Sequence, residues 1–109
     1  MKALLLEDDF ALNKLILNAL DEKGFIVHSY LNGIKAAQQI LNTPYDIYIL
    51  DINAPSFDGH DVLVHIRKEY PDAPVIMISA ASDIESMQKS YKLGCNDYLK
   101  KPFELDELY

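Results

Sequence analysis

Cysteine is nearly missing from this 109-residue chain: Cys95 stands alone, so no intrachain disulfide can form. That excludes a small scaffold stapled by disulfides and suits a reducing cytosol. Glycine and proline are scarce, four and five residues respectively, which excludes collagen-like and low-complexity disordered chains. Long apolar runs are absent as well. Stretches such as Val75-Ile76-Met77-Ile78 are far too short to cross hydrocarbon. Met1–Leu6 opens like a signal peptide, but Glu7-Asp8-Asp9 ends the apolar run almost at once. Positive charge is also in deficit, with ten Lys and Arg against seventeen Asp and Glu and a net charge of −7. Such a chain repels phosphate backbones, so this segment is not expected to bind nucleic acid by itself. What remains is half hydrophobic and one quarter charged, the composition of one folded domain.

Apolar runs of strand length recur at Ala3–Leu6, Phe25–Val27, Ile47–Leu50 and Val75–Ile78, with a weaker one at Tyr98-Leu99. They do not alternate with polar residues, which predicts strands buried on both faces, as in a parallel sheet. Helical spacing lies between them. Leu12, Leu15, Ile16, Ala19 and Leu20 form one apolar stripe; Ile34, Ala37, Ile40 and Leu41 form the next. Val62, Leu63, Ile66 and Tyr70 make a third, and Ile84, Met87 and Tyr91 a fourth. Gly24, Pro44, Pro71 and Gly94 supply the stops. Five strands alternating with four helices, and a fifth helix starting near Glu104, predict an α/β fold of (βα)₅ type with right-handed crossovers.

Open α/β sheets bind ligands at the carboxyl ends of their strands. The first strand ends in Glu7-Asp8-Asp9, the third in Asp51, the fourth in Ser79 and the fifth in Lys100-Lys101-Pro102. Carboxylates, a hydroxyl and an ammonium are thus delivered to one edge. A dinucleotide site would need a glycine-rich first turn, where three carboxylates stand instead, and no glycine-rich Gly-Lys-Ser/Thr phosphate loop exists. Carboxylates brought to about 4 Å repel by roughly 4 kcal/mol per pair at an effective dielectric near 20. Such a cluster must hold protons or a cation, and hard oxygen donors without His or Cys fit Mg²⁺. A blander reading has Asp9 capping the first helix with Glu7 and Asp8 as solvated loop charges.

Four blocks in register also carry a resemblance: Leu4–Asp9, Ile49–Pro55 with Asp58-Gly59, Ile78–Ala80, and Asp97–Phe103. Together they resemble the receiver domain of bacterial two-component response regulators, over the whole of residues 1–109. The resemblance implies a flavodoxin-like three-layer sandwich with strand order 2-1-3-4-5. It implies that Asp51 accepts a phosphoryl group from the phosphohistidine of a sensor histidine kinase or phosphotransfer protein. Glu7, Asp8, Asp51 and the backbone carbonyl of Asn53 would hold Mg²⁺. Lys101 would pair with the phosphoryl oxygens, and the Ser79 hydroxyl would hydrogen-bond them. Tyr98 would follow Ser79 as the switch aromatic. The resemblance further implies a cytoplasmic signalling domain whose helix 4–strand 5–helix 5 face carries homodimer or output contacts. DNA would be reached only through a C-terminal effector domain absent from this sequence, with transcription as the output and no membrane partner. The chain stops about one turn into the fifth helix, which is the expected mark of the N-terminal part of a longer regulator.

Departures from the family pattern are few. Glu7-Asp8 stands where many members have Asp-Asp, and the longer Glu7 is expected to act through water. Ser79 replaces the commoner Thr, and Asn53 and Ala81 occupy positions that tune phosphoryl lifetime. A phosphatase of the haloacid-dehalogenase type also uses a strand-end Asp with Mg²⁺. It wants a second Asp two residues on, where this chain has Asn53. An interaction module with a vestigial site would lack one of the acidic, lysine or hydroxyl residues. His28, His60 and His65 are expected at the surface, and Cys95 in packing. Lys89, Lys92, Lys100 and Lys101 with Tyr91 and Tyr98 suggest a basic interaction patch.

Overall fold

A computed structural model describes residues 1–80 and 84–101. Ala81 and the fifth helix expected from about Glu104 lie outside the described residues. Nine elements alternate: β1 (Lys2–Leu6), α1 (Phe10–Glu22), β2 (Ile26–Tyr30), α2 (Gly33–Ile40), β3 (Ile47–Asp51), α3 (Gly59–Glu69), β4 (Val75–Ser79), α4 (Ile84–Lys92) and β5 (Asp97–Lys100). The strands form one parallel sheet in the order β2-β1-β3-β4-β5, as the resemblance implied.

Side chains leave a strand alternately to its two faces, and the core divides accordingly. Leu4, Leu6, Tyr48, Leu50, Val75 and Met77 pack with Ala36 and Ile40 of α2 and Val62, Leu63 and Ile66 of α3. Ala3, Leu5, Ile49, Ile76, Ile78 and Leu99 pack on the other face with Ile16 and Leu20 of α1. The runs do not alternate in polarity because both faces are covered. Helix starts follow from side-chain caps: the Asp9 carboxylate accepts from Ala11 N and Leu12 N, and Asn32 accepts from Lys35 N. Asp58 and Asp61 form a reciprocal capping box at α3.

Three of the helical stripes need correction. The sheet covers only a narrow arc of each helix, and spacing alone does not say which edge of a wide apolar stripe faces it. On α1 the buried arc is Asn13, Ile16 and Leu20, and Leu15 is exposed. On α2 it is Gly33, Ala36 and Ile40, with Ile34 and Leu41 outside. On α4 the expectation is reversed: Ile84, Met87 and Tyr91 are exposed, and the buried residue is Ser90. His60 is also buried rather than at the surface, because the second position of α3 turns inward toward α4. Cys95 is buried, and burial pushes its thiol up to about 11, so it packs as a small protonated side chain.

The start of α3 is pressed against the end of β3. Gly59 N donates to Ile52 O at 3.3 Å, and a Cβ built on Gly59 would meet Asp51 O at 2.4 Å. The obstacle is backbone, which has little freedom to yield. Gly59→Ala is therefore expected to destabilise the domain by about 2 kcal/mol or more, lowering the melting temperature by several degrees. A thermal melt within one degree of the parent would show that the junction can open without loss.

Candidate metal and acceptor site

Parallel pairing sets the site. Leu6 of β1 lies beside Leu50 of β3, so the next residues, Glu7 and Asp51, emerge together at the carboxyl edge. Asp51 lies beside Ile78, and Ser79 beside Lys100, which carries Ser79 and Lys101 to the same edge. Lys101 N donates to Ser79 O at 2.7 Å, extending that register one residue beyond β5. By strand alternation Ser79 and Tyr98 share the sheet face of Met77 and α3; Ser79 is buried and Tyr98 packs partly buried against that core.

The three acids differ sharply. Glu7 is fully buried, Asp51 almost so, and Asp8 is exposed, yet one carboxylate oxygen from each lies within 4.8 Å of the others. Glu7 Oε2 accepts from Asp9 N at 2.9 Å, and Glu7 Oε1 meets Lys101 Nζ at 2.7 Å. Asp51 Oδ1 accepts from Asn53 N at 3.0 Å, and its Oδ2 lies 3.5 Å from Lys101 Nζ. Asp9 has gone to cap α1, so the bland reading holds for Asp9 and fails for Glu7. Lys101 points into this cluster and is not part of the basic patch expected on α4 and β5.

Sequence reasoning passed over Asn13. Its side-chain amide donates to Glu7 O at 3.1 Å and Tyr30 O at 3.4 Å, pinning the chain as it leaves β1. Its signal is a polar residue on the buried arc of an otherwise apolar helix. The loop from Asn53 to Asp58 carries Ser56 and Phe57 with φ of 60° and 54°, left-handed backbone that costs non-glycine residues energy and recurs at functional loops.

Burial, then the neighbouring Asp8, pushes the Asp51 carboxyl up to about 7. Asp8, taking a hydrogen bond from that carboxyl, is held below the usual carboxylate range. Burial alone would lower Lys101, but the Glu7 carboxylate and the Asp51 charge outweigh it and hold the ammonium above its ordinary value. Glu7 Oε1 and Asp51 Oδ2 are buried against the Lys101 ammonium, and each carboxylate oxygen has a second lone pair to offer, so the pocket keeps acceptor capacity. An all-oxygen carboxylate set with that spare capacity fits a hard divalent cation such as Mg²⁺.

A parallel α/β domain with an acid cluster, a half-buried lysine and a buried hydroxyl at one strand edge can hold a cation with an anionic group beside it. The chain matches the response regulator receiver domain over residues 3–109, and it belongs to that family. It is 35% identical over 108 residues to the transcriptional regulatory protein QseB of Escherichia coli O157:H7, covering 99% of this chain and 49% of that one. It thus spans about half the length of the curated relatives it matches. The receiver domain of the Francisella response regulator 1452 superposes with a TM-score of 0.90 at 34% identity, covering 98% of this chain and 88% of that one. Response regulator TrrA of Thermotoga maritima, solved in complex with Mg²⁺ and BeF, matches with a TM-score of 0.86 at 32% identity, covering 98% and 91%. No helix among the described residues is long and apolar enough to cross a membrane.

The Asp51 shift sets a pH dependence. A carboxyl raised in the folded state contributes stability that is present below its unfolded value near 4 and lost as pH rises through about 7. Asp8, lowered, acts oppositely and only on the acid side of the ordinary Asp value. Asp51→Asn removes the loss, so without divalent metal its stability advantage over the parent should grow by about 2 kcal/mol between pH 5 and pH 8. Chemical denaturation at the two pH values measures it; an advantage independent of pH would refute the shift.

Proposed function

We propose that Asp51 is the phosphoacceptor of a two-component signalling switch, and that a phosphohistidine on a sensor histidine kinase or phosphotransfer protein is the donor. The observation that carries this reading is the setting of Asp51: buried at the end of the central strand, between the Glu7-Asp8 pair and the Lys101 ammonium. In the transfer one Asp51 oxygen forms a bond to phosphorus as the bond from phosphorus to the imidazole nitrogen breaks. Glu7, Asp8, Asp51 and the Asn53 carbonyl would hold Mg²⁺, which when bound neutralises charge on carboxylate and phosphoryl oxygens.

This chain's own residues do the rest. Asn53 N–H holds Asp51 Oδ1 and fixes the carboxylate plane. Lys101, already beside Asp51, exchanges its Glu7 partner for phosphoryl oxygens, where an ammonium offsets developing charge. The Ser79 hydroxyl donates to the phosphoryl group. Its movement vacates space on the face it shares with Tyr98, and Tyr98 turns inward to fill it. The Asn53 carboxamide does not ionise and cannot shuttle a proton, which disfavours the phosphatase reading. Residues 1–109 act as a single regulatory receiver domain, cytoplasmic in setting. The domain promotes its own Mg²⁺-dependent phosphorylation and dephosphorylation, and a homodimer forms through the face of α4 and β5. Its relatives are transcriptional regulators about twice its length, so the output is transcription, reached through a separate DNA-binding effector domain.

Intact-mass measurement after incubation with a small acyl phosphate and Mg²⁺ tests the assignment. One phosphoryl addition is expected, absent in Asp51→Asn and lost in Asp8→Ala although that variant stays folded. Equal addition to Asp51→Asn, or phosphorylation that survives chelation of all divalent metal, would overturn it.

A further inference from the structure

Among the described residues, polar contacts do much to hold helix α4 to the rest of the domain. Its one buried residue is Ser90, while Ile84, Met87 and Tyr91 are 66%, 40% and 46% exposed. The Ser90 hydroxyl donates its single proton to Ser86 O at 2.9 Å, so toward His60 Nε2, 2.8 Å away, it can only accept. His60 is therefore the donor, with its ring proton on Nε2. Burial first, and the Lys89 charge second, hold this imidazole below the ordinary histidine value.

His60 is the second residue of α3, next to Gly59, whose amide is bonded to Ile52 O and whose α-carbon is pressed on the Asp51 backbone. One peptide bond thus separates a residue registered on the acceptor strand from the side chain that holds α4. At the far end of α4, Arg67 Nε donates to Gly94 O at 2.9 Å and Arg67 Nη2 to Asn96 Oδ1 at 3.0 Å. Gly94 itself has φ +105°, the left-handed geometry of a helix end. The C-terminal end is pinned there, while Ile84 and Met87 of the N-terminal half stay 66% and 40% exposed.

We propose that the His60–Ser90 hydrogen bond is the latch that fixes the position of α4, and that α4 pivots about Gly94 when the latch opens. Its place in signalling rests on the receiver reading above; the latch itself does not. Losing a neutral hydrogen bond shifts an equilibrium by about two- to tenfold.

Amide hydrogen exchange of residues Ile84–Lys92 tests this in the full 109-residue chain carrying Asp51→Asn, where no phosphoryl group can form. Ser90→Ala and His60→Leu are each expected to speed α4 exchange about tenfold while β1 and β3 keep their protection. Because both remove the same bond, the double variant should stay within about twofold of either single. Imidazole ¹⁵N shifts should show His60 protonated on Nε2 in the parent and a mixture of tautomers in Ser90→Ala. Unchanged α4 exchange in both single variants, or single effects that simply multiply in the double, would overturn the latch. Phosphodonor labelling of the Asp51 protein is a separate measurement, so failure of the receiver reading and failure of the latch are told apart.

Discussion

Mutual repulsion among Glu7, Asp8 and Asp51 at the end of a buried sheet is the condition the rest of the domain is arranged around. The pairing of β1 with β3 leaves these carboxylates no choice of place, because sliding either strand would turn its apolar residues to the wrong face. Each device near them lowers the cost. Lys101 is drawn in from the end of β5 onto Glu7 and Asp51. Backbone amides of Asp9 and Asn53 each hold one carboxylate oxygen. Asp51 keeps a proton up to about pH 7 because it is buried and faces Asp8. Removing one charge partner from a buried cluster of this kind leaves an uncompensated charge, which costs more than the pair contributes.

The fold was legible in the sequence because parallel strands covered on both faces have no polar residue to interrupt them. Ala3–Leu6, Ile47–Leu50 and Val75–Ile78 fall within or match β1, β3 and β4 for that reason. The candidate site was legible because its residues directly follow those strands, and a sheet brings strand ends together without help from distant sequence. Less could be read from the helices. Ile84, Met87 and Tyr91 have the spacing of a core stripe and lie outside, since helical period specifies a stripe but not which side of the sheet-facing arc it falls on. His60 and Asn13 were hidden for a related reason. A polar residue is buried when a partner waits for it, and their partners, Ser90 and the Glu7 and Tyr30 carbonyls, are 30, 6 and 17 residues away.

Those two buried polar residues sit at different distances from the acids and have different consequences. Asn13 bonds backbone carbonyls of β1 and β2, elements locked in the sheet, so it adds rigidity where the carboxylates must not drift. His60 bonds a side chain on α4, which meets the core chiefly through Ser90. Local stability follows buried apolar contact, and among the described residues α4 has little. Rigid strands carrying the charges and a weakly anchored helix beside them are what a switch needs, because a helix packed as firmly as α3 would not move for a change of one or two charges.

Magnitudes then limit what such an arrangement can transmit. Two charges about 4 Å apart at an effective dielectric near 20 interact by roughly 4 kcal/mol, whereas one neutral hydrogen bond contributes about 1 kcal/mol. Events among the acids therefore exceed the strength of the single His60–Ser90 contact, and they can bias α4 without any large rearrangement of the sheet. The converse effect is of the same size. Coupling between two sites is reciprocal, so a latch worth about 1 kcal/mol can change affinity at the acids by no more than about five- to tenfold. A partner that grips α4 would tune this site by the same factor by which a change of charge at the acids shifts the helix.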